Sequence, residues 1–320
     1  MNKYTEKTIN FFEVKKERFF TFHARPASSA SIKRKGEDQE KDTAIIIQGP
    51  IVRERDFTLE TVKTYIKIFP GAHIILSTWS NEDVGNFKDL DIELLLNEKP
   101  KHPGISNINY QIVSTLNGII AAKKLGVAYI LKTRTDQRIY NEKTITYFKD
   151  LLKIFPIENT KKPKGRIIAT DMNTFKYRPY SISDMTLFGF FEDIFNYWNL
   201  NTDTRTGIKY KYGNILEWSQ ARLCEVFLSA SYLEKMGEKL AWSISDSWKK
   251  YIDYFCIADR PIIDLYWFKY EKNKEYRNKN YTGNFMNEEF GFVDWLKLYN
   301  SKNFNNAPEY LLDKQIGDKI

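Results

Sequence analysis

The densest group of chemically able side chains in the sequence is Lys132-Thr133-Arg134-Thr135-Asp136-Gln137-Arg138, which closes the apolar run beginning at Ala128. Cations surrounding a single carboxylate suit a diphosphate: guanidinium groups grip phosphate oxygens as forks, and Asp136 can hold a divalent cation, Mn or Mg, that bridges those oxygens. One carboxylate is a thin basis for a protein-anchored ion, and Lys132 and Arg134 can take over part of its role. The competing reading is a surface charge cluster closed by its own salt bridges. A second candidate is Gln48-Gly49-Pro50, directly after Thr43 to Ile47. Gly49 lets backbone approach a ligand, Pro50 fixes the exit, and Gln48 offers a donor and an acceptor to a base or ribose; a plain strand-to-loop turn would look the same.

Two further places carry polar groups in useful positions. The loop from Asn97 to Asn109 holds two prolines and a glycine, with Lys99, Lys101 and His102 as a basic rim. It leads into a helix on which Asn107, Gln111, Ser114 and Gly118 form a polar stripe. The start of such a helix can receive a phosphate or sugar hydroxyls, or be only a capped, partly solvated end. For acid or base work the second half offers Asp184, ahead of the apolar Met185 to Gly189, and Glu217, at a helix start. Either can deprotonate an acceptor hydroxyl, and either can be an ordinary loop or helix-end carboxylate.

These residues need a scaffold, and the hydrophobic pattern supplies one. Apolar runs at Thr43 to Ile47, His73 to Thr78, Ile92 to Leu96 and Ala128 to Thr133 read as buried strands. Between them, Val62, Tyr65, Ile66 and Phe69 recur at helical spacing, as do Ile108, Ile112, Leu116 and Ile119, the latter predicting a helix capped by Ser106 and ended by Gly126. Alternating strands and helices predict an α/β fold with a mostly parallel sheet and helices on both faces, whose ligands sit beyond the carboxyl ends of the strands. Residues 156–320 read as a less regular α+β acceptor-side half. It contains a helix over Lys143 to Ile154 leading in, strands at Arg166 to Thr170 and Met185 to Gly189, and helices over Glu192 to Trp198, Leu216 to Lys235 and Phe290 to Leu298. A Trp- and Tyr-rich stretch runs from Ala241 to Tyr270, and Glu271 to Asn284 reads as a surface loop. Residues 1–41 read as an N-terminal arm and solvated linker, and residues 42–155 as a nucleotide-binding α/β half, which the resemblance given below makes the nucleotide-sugar-binding half.

Composition excludes several alternatives. The chain has 320 residues, 42% hydrophobic and 28% charged, which rules out wholesale disorder. No apolar run approaches the roughly 18 to 20 residues needed to cross a bilayer, and a soluble, cytoplasmic protein is expected. Two cysteines, Cys224 and Cys256, and three histidines argue against thiol chemistry, Cys-rich zinc sites and an ordinary hydrolase triad. The +8 formal charge favours anionic partners such as nucleotides or phospholipid headgroups.

The ordered blocks Ile46-Ile47-Gln48-Gly49-Pro50, Ile75-Leu76-Ser77-Thr78-Trp79, Asn107-Ile108-Asn109-Tyr110-Gln111 and Leu131 to Arg138 resemble the WavE-type lipopolysaccharide-synthesis family over about Asp42 to Tyr270. Ser183-Asp184-Met185 through Phe188-Gly189 and the Glu217 helix sit where that family has later blocks. The resemblance implies a bacterial surface-polysaccharide glycosyltransferase with a GT-A-like nucleotide-sugar fold, its Arg-Thr-Asp segment standing in place of the Asp-x-Asp motif. Gln137 and Arg138 follow Asp136, so the second Asp is missing and metal dependence stays open.

Taken together, these readings predict a nucleotide-sugar donor held by Gln48, Gly49, Pro50, Asn107, Asn109, Gln111, Lys132, Arg134, Asp136, Gln137 and Arg138. Asp184 or, second, Glu217 activates a glycan or lipid-linked glycan acceptor at the inner face of the plasma membrane. A CDP-linked polyol- or sugar-phosphate transferase and a non-enzymatic polyanion binder are the alternatives. Nucleic acid is not an expected partner, because the folded region has no dense Lys/Arg tract.

Overall fold

The computed structural model describes residues 6–8, 10–11, 23–33, 40–157, 163–207, 212–223, 225–271 and 287–315. Its centre is a seven-stranded sheet in the order β3-β2-β1-β4-β7-β6-β8. β1 (Thr43–Gln48), β2 (His73–Trp79), β3 (Glu93–Asn97) and β4 (Tyr129–Arg134) run parallel. β7 (Leu187–Phe190) is antiparallel to β4 and to β6 (Ile167–Thr170), and β6 is again parallel to β8 (Phe255–Ala258). The sheet therefore crosses the boundary between the two halves read from the sequence. All six residues of β1 are buried, as a strand covered on both faces requires.

The chain steps from β1 to β2 in one direction through α1 (Phe57–Ile68) and from β3 back to β4 in the other through α2 (Ile108–Lys123). Right-handed crossovers in opposite directions put these helices on opposite faces. On the α2 face the packing is tight enough that a Cβ on Gly118 would lie 2.6 Å from Ile46 Cγ2. α4 (Phe191–Trp198) shares that face, since Lys132, in register with Ile46, places its ammonium 4.8 Å from the Trp198 ring centroid. On the other face α3 (Thr144–Ile154) brings Phe148 to 5.4 Å from Phe188. The fold is thus α/β, with a mostly parallel sheet and helices on both faces.

Four departures from the sequence pattern have local causes. The helix read over Leu216 to Lys235 is two helices, α5 (Ile215–Gln220) and α6 (Glu225–Lys235). Arg205 donates to the carbonyl oxygens of Ala221 and Arg222, taking the groups that would continue the helix, and Arg222 has φ of 51°. Ser106 does not cap α2: it lies in a 3-10 turn with φ of 54°, and Asn107 occupies the cap position in the left-handed region. The aromatic stretch after Ala241 holds α7 (Ile244–Tyr254), β8, β9 (Leu265–Trp267) and α8 (Phe268–Glu271), and α9 (Phe292–Ser301) packs against β8 and α7. β9 pairs antiparallel with β5 (Gln137–Ile139) as a separate ribbon.

The fourth departure is in the segment read as linker. Arg138 donates from Nη1 to Ala27 O at 2.9 Å, Tyr140 Oη to Pro26 O at 2.7 Å, and Ser29 N to Glu60 at 2.6 Å, so Pro26 to Ser29 are fastened to β5 and α1. Cys256 is buried in β8, where burial pushes its thiol pKa up and keeps it protonated. Cys224 and residues 272–286, within the stretch read as a surface loop, lie outside the described residues. Among the described residues no helix is long and apolar enough to cross a membrane.

Candidate active site

The parallel strands end at one edge of the sheet, and two of the sequence candidates meet there. Gln48 and Arg134 are register partners, the last residues of β1 and β4. Thr135 N donates to Gln48 O at 3.0 Å. Gly49 has φ of 122°, and a Cβ on it would sit 2.9 Å from Thr135 Oγ1, so glycine is what lets the two turns touch. Thr58 Oγ1, at the start of α1, donates to Thr135 O at 3.0 Å and clamps the turn from the other side. Gln48 is held in place: its Oε1 accepts from Ser114 Oγ at 2.9 Å, and Ser114 O accepts from Ser77 Oγ at 2.6 Å.

At the mouth of this corner Arg134 grips Asp136 as a fork, Nε to Oδ1 at 2.8 Å and Nη2 to Oδ2 at 3.0 Å. Trp267 Nε1 also donates to Oδ2 at 3.0 Å, and Arg134 lies 5.9 Å from the Trp267 ring centroid. Burial, the largest single influence, would raise the Asp136 pKa, but the charge and hydrogen bonds of Arg134 together with Trp267 and Lys269 outweigh it, and the carboxyl is held below its ordinary range. Trp267 and Lys269 come from β9 and α8, some 130 positions along the chain, and nothing in the local sequence marks them. With both oxygens of Asp136 accepting from Arg134, the donor set does not suit a divalent cation. No group of three or more His, Cys, Asp or Glu positioned for a metal occurs among the described residues.

The remaining members of the 132–138 segment point elsewhere. Lys132 is fully buried; its ammonium donates to the carbonyls of Asp184 at 2.5 Å and Met185 at 3.3 Å, and burial pulls its pKa down to about 7. Gln137 faces Met172 and Met185 and accepts from Thr186 Oγ1 at 3.0 Å. Arg138, the next residue of β5, faces the opposite way, 4.5 Å from the Phe57 ring centroid, with Nε to Thr61 Oγ1 at 2.9 Å and Nη2 to Phe57 O at 2.9 Å. Strand alternation makes this division unavoidable.

The loop before α2 is equally resolved into roles. Asn109 is buried, donating to His102 O and Asp203 O and accepting from Asp203 N at 2.7 Å, so it ties the 203 loop to the helix start. Asn107 is exposed, and Gln111 is partly buried with its Oε1 lacking a partner. Lys99 lies 5.9 Å from the ring centroid of Trp79, which ends β2. In the second half, Asp184 is buried just ahead of β7, beside the end of β4, whereas Glu217 is exposed and accepts from Gly213 N at 3.0 Å, tying down the turn before α5. Glu225, at the start of α6, accepts from Ser181 Oγ at 2.9 Å.

The arrangement defines an α/β protein whose polar corner sits at the carboxyl ends of a mostly parallel sheet. The model of the WavE lipopolysaccharide synthesis family matches residues 43–314, and the chain belongs to that family, which places it in surface-polysaccharide synthesis. No curated protein matches it. Three solved structures show low similarity. One is a cytidylyltransferase from Leptospira borgpetersenii serovar Hardjo-bovis (11% identity, 87% of this chain and 99% of that one, TM-score 0.35). Another is a glycosyltransferase involved in glycosylation of the major capsid of PBCV-1 (13%, 68% and 82%, TM-score 0.34). The third is a mannose-1-phosphate geranyltransferase from Thermus thermophilus (17%, TM-score 0.29), over 43% of this chain and 45% of the other, so the chain spans less than half of that relative.

Proposed function

We propose that the chain is a GT-A-like glycosyltransferase that moves a sugar from a nucleotide-sugar donor to a lipopolysaccharide-core, capsule or related surface glycan. The observation that carries the reading is the direct contact of the Gln48-Gly49-Pro50 turn with the Arg134-Thr135-Asp136 turn at adjoining strand tips. Gln48 and Gly49 line the nucleoside side, and Arg134 faces the diphosphate. Asp136 orients the guanidinium for that task, and Lys132, Gln137, Arg138 and Asn109 hold the surrounding turns. Positive charge fixed before the reaction stabilises the departing nucleoside diphosphate without reorganisation. Asp184, one strand away, stands on the side from which an acceptor hydroxyl attacks the anomeric carbon with inversion. The +8 charge suits a seat against the anionic inner face of the plasma membrane, within reach of lipid-linked acceptors. Incubating the chain with UDP-, GDP- and CDP-linked sugars and lipopolysaccharide core tests this: a product heavier by one sugar supports it. A gain of sugar or polyol phosphate assigns the alternative transferase chemistry, and no gain with any donor contradicts both.

A further inference from the structure

The corner at the strand tips is short of uncommitted positive charge. Arg134 spends Nε and Nη2 on Asp136, so that pair orients donors but brings no net charge. Lys132 is turned inward onto the carbonyls of residues 184 and 185, and Arg138 onto Ala27, Thr61 and Phe57. Lys269 adds a charge that Asp136 feels, less than a nucleoside diphosphate brings.

Arg55 stands at the same edge, in the turn that leads from Gly49-Pro50 into α1. Thr58 N donates to Val52 O at 3.1 Å and Val52 N to Thr58 Oγ1 at 2.8 Å, closing the turn. Two contacts fasten it to the corner. Thr58 Oγ1 donates to Thr135 O at 3.0 Å, and the Phe57 ring stacks at 4.6 Å on Phe268, whose N donates to Asp136 O at 3.0 Å. Arg55 is exposed and has no hydrogen bond or ion pair among the described residues, its neighbours Glu54 and Asp56 included. Every other arginine among the described residues donates to a protein oxygen. The Arg55 backbone is strained as well, with φ of 54° followed by 50° at Asp56. Glycine would adopt that conformation freely, so a side chain at this position has to be worth its strain.

We propose that Arg55 supplies the uncommitted guanidinium that grips the donor's diphosphate, an inference that rests on the nucleotide-sugar reading. Its fork closes over phosphate oxygens in charge-assisted hydrogen bonds. The Arg134–Asp136 pair, already oriented, meets the same group from the turn after β4. Arg55 adds the charge that this pair lacks, and the fastened turn keeps it beside the strand tips when no ligand is bound.

The test is calorimetric titration of the full chain, as wild type, Arg55→Gln and Arg55→Gly, in the presence of a metal chelator. The probes are UDP, GDP and CDP, the corresponding monophosphates, and inorganic pyrophosphate. Both variants should bind the preferred nucleoside diphosphate about 10- to 100-fold more weakly and lose less affinity for its monophosphate, so that the ratio between the two falls. A merely structural role would not move that ratio, and Arg55→Gly, which relieves the left-handed φ, should melt no lower than the wild type without ligand. Unchanged diphosphate affinity, or an equal loss for mono- and diphosphate, overturns the role of Arg55 and leaves the donor reading standing. Pyrophosphate binding that depends on Arg55, in a chain that binds no nucleoside diphosphate, supports the anion grip and counts against the donor reading. A wild type that binds neither overturns both.

Discussion

Arg134 and Asp136, two positions apart, face each other across the turn that ends β4 with both guanidinium-to-carboxylate bonds in place, 2.8 and 3.0 Å. A planar fork of this kind fixes the orientation of the arginine, which a point-charge lysine cannot reproduce. Arg134→Lys should therefore behave like Arg134→Ala in sugar transfer, each lowering kcat by about 10²- to 10³-fold, and each should lower the melting temperature as well, because the buried Asp136 carboxylate loses its guanidinium fork. Steady-state kinetics checks this; wild-type turnover in Arg134→Lys would show that charge alone suffices.

Trp267 holds the other side of the same carboxylate. Trp267→Phe keeps most of the packing and removes the indole N–H donated to Asp136, which should cost about 1.5 to 3 kcal/mol of stability as a hydrogen bond to a charged group. Chemical denaturation measures it, and an unchanged midpoint would mean the bond contributes nothing.

Lys132 gives a pH signature. Its pKa is about 7 when folded, lowered chiefly by burial, against an ordinary value of 10.5. Between these values the unfolded chain binds the extra proton, so stability rises with pH, by up to about 1.4 kcal/mol per unit. Lys132→Met removes that dependence. The stability difference between wild type and Lys132→Met should therefore shift in favour of the wild type from pH 7 to 9, measured by denaturation at each pH. A flat difference would contradict the burial of the ammonium.

Arg138 works as an anchor, donating to Ala27, Thr61 and Phe57 at 2.9 Å each. Arg138→Met should cost on the order of 3 kcal/mol by leaving buried acceptors unserved and should expose the chain near Pro26 to limited proteolysis. Protection equal to wild type would show that the segment is held by other means.

Gly118 tests the packing of α2 on the sheet. Gly118→Ala drives a methyl to 2.6 Å from Ile46 Cγ2 and should destabilise by about 1 to 3 kcal/mol. The double variant with Ile46→Ala should cost less than the two single changes added together, and strict additivity would indicate that the helix simply shifts away.

The sequence pattern reveals the parallel core because β1, β2 and β4 are continuous apolar runs whose periodicity is local. It does not reveal β5, β8 and β9, each three or four residues long and selected by partners far along the chain. The same limit governs the site. The motif order exposes Gln48, Gly49, Arg134 and Asp136 as a group, but a string of cations cannot say which way each side chain points. Alternation along β5 sends Gln137 and Arg138 to opposite faces, and register puts Lys132 beneath α4. Glu217 and Glu225 look alike as helix-start carboxylates. Only the break between α5 and α6, set by Arg205 on the carbonyls of Ala221 and Arg222, gives Glu225 its own helix start, where Ser181 Oγ donates to it.

The central claim, a diphosphate held by the turn after β4 at the strand tips, is tested most directly by thermal denaturation with nucleoside diphosphates in the presence of a metal chelator, comparing wild type with Arg134→Ala. A ligand at about 100 times its Kd should add about 2.7 kcal/mol to the wild type. The account predicts that one nucleoside diphosphate stabilises the wild type despite the chelator and leaves Arg134→Ala unmoved. Equal stabilisation of both proteins, or of neither, would contradict it.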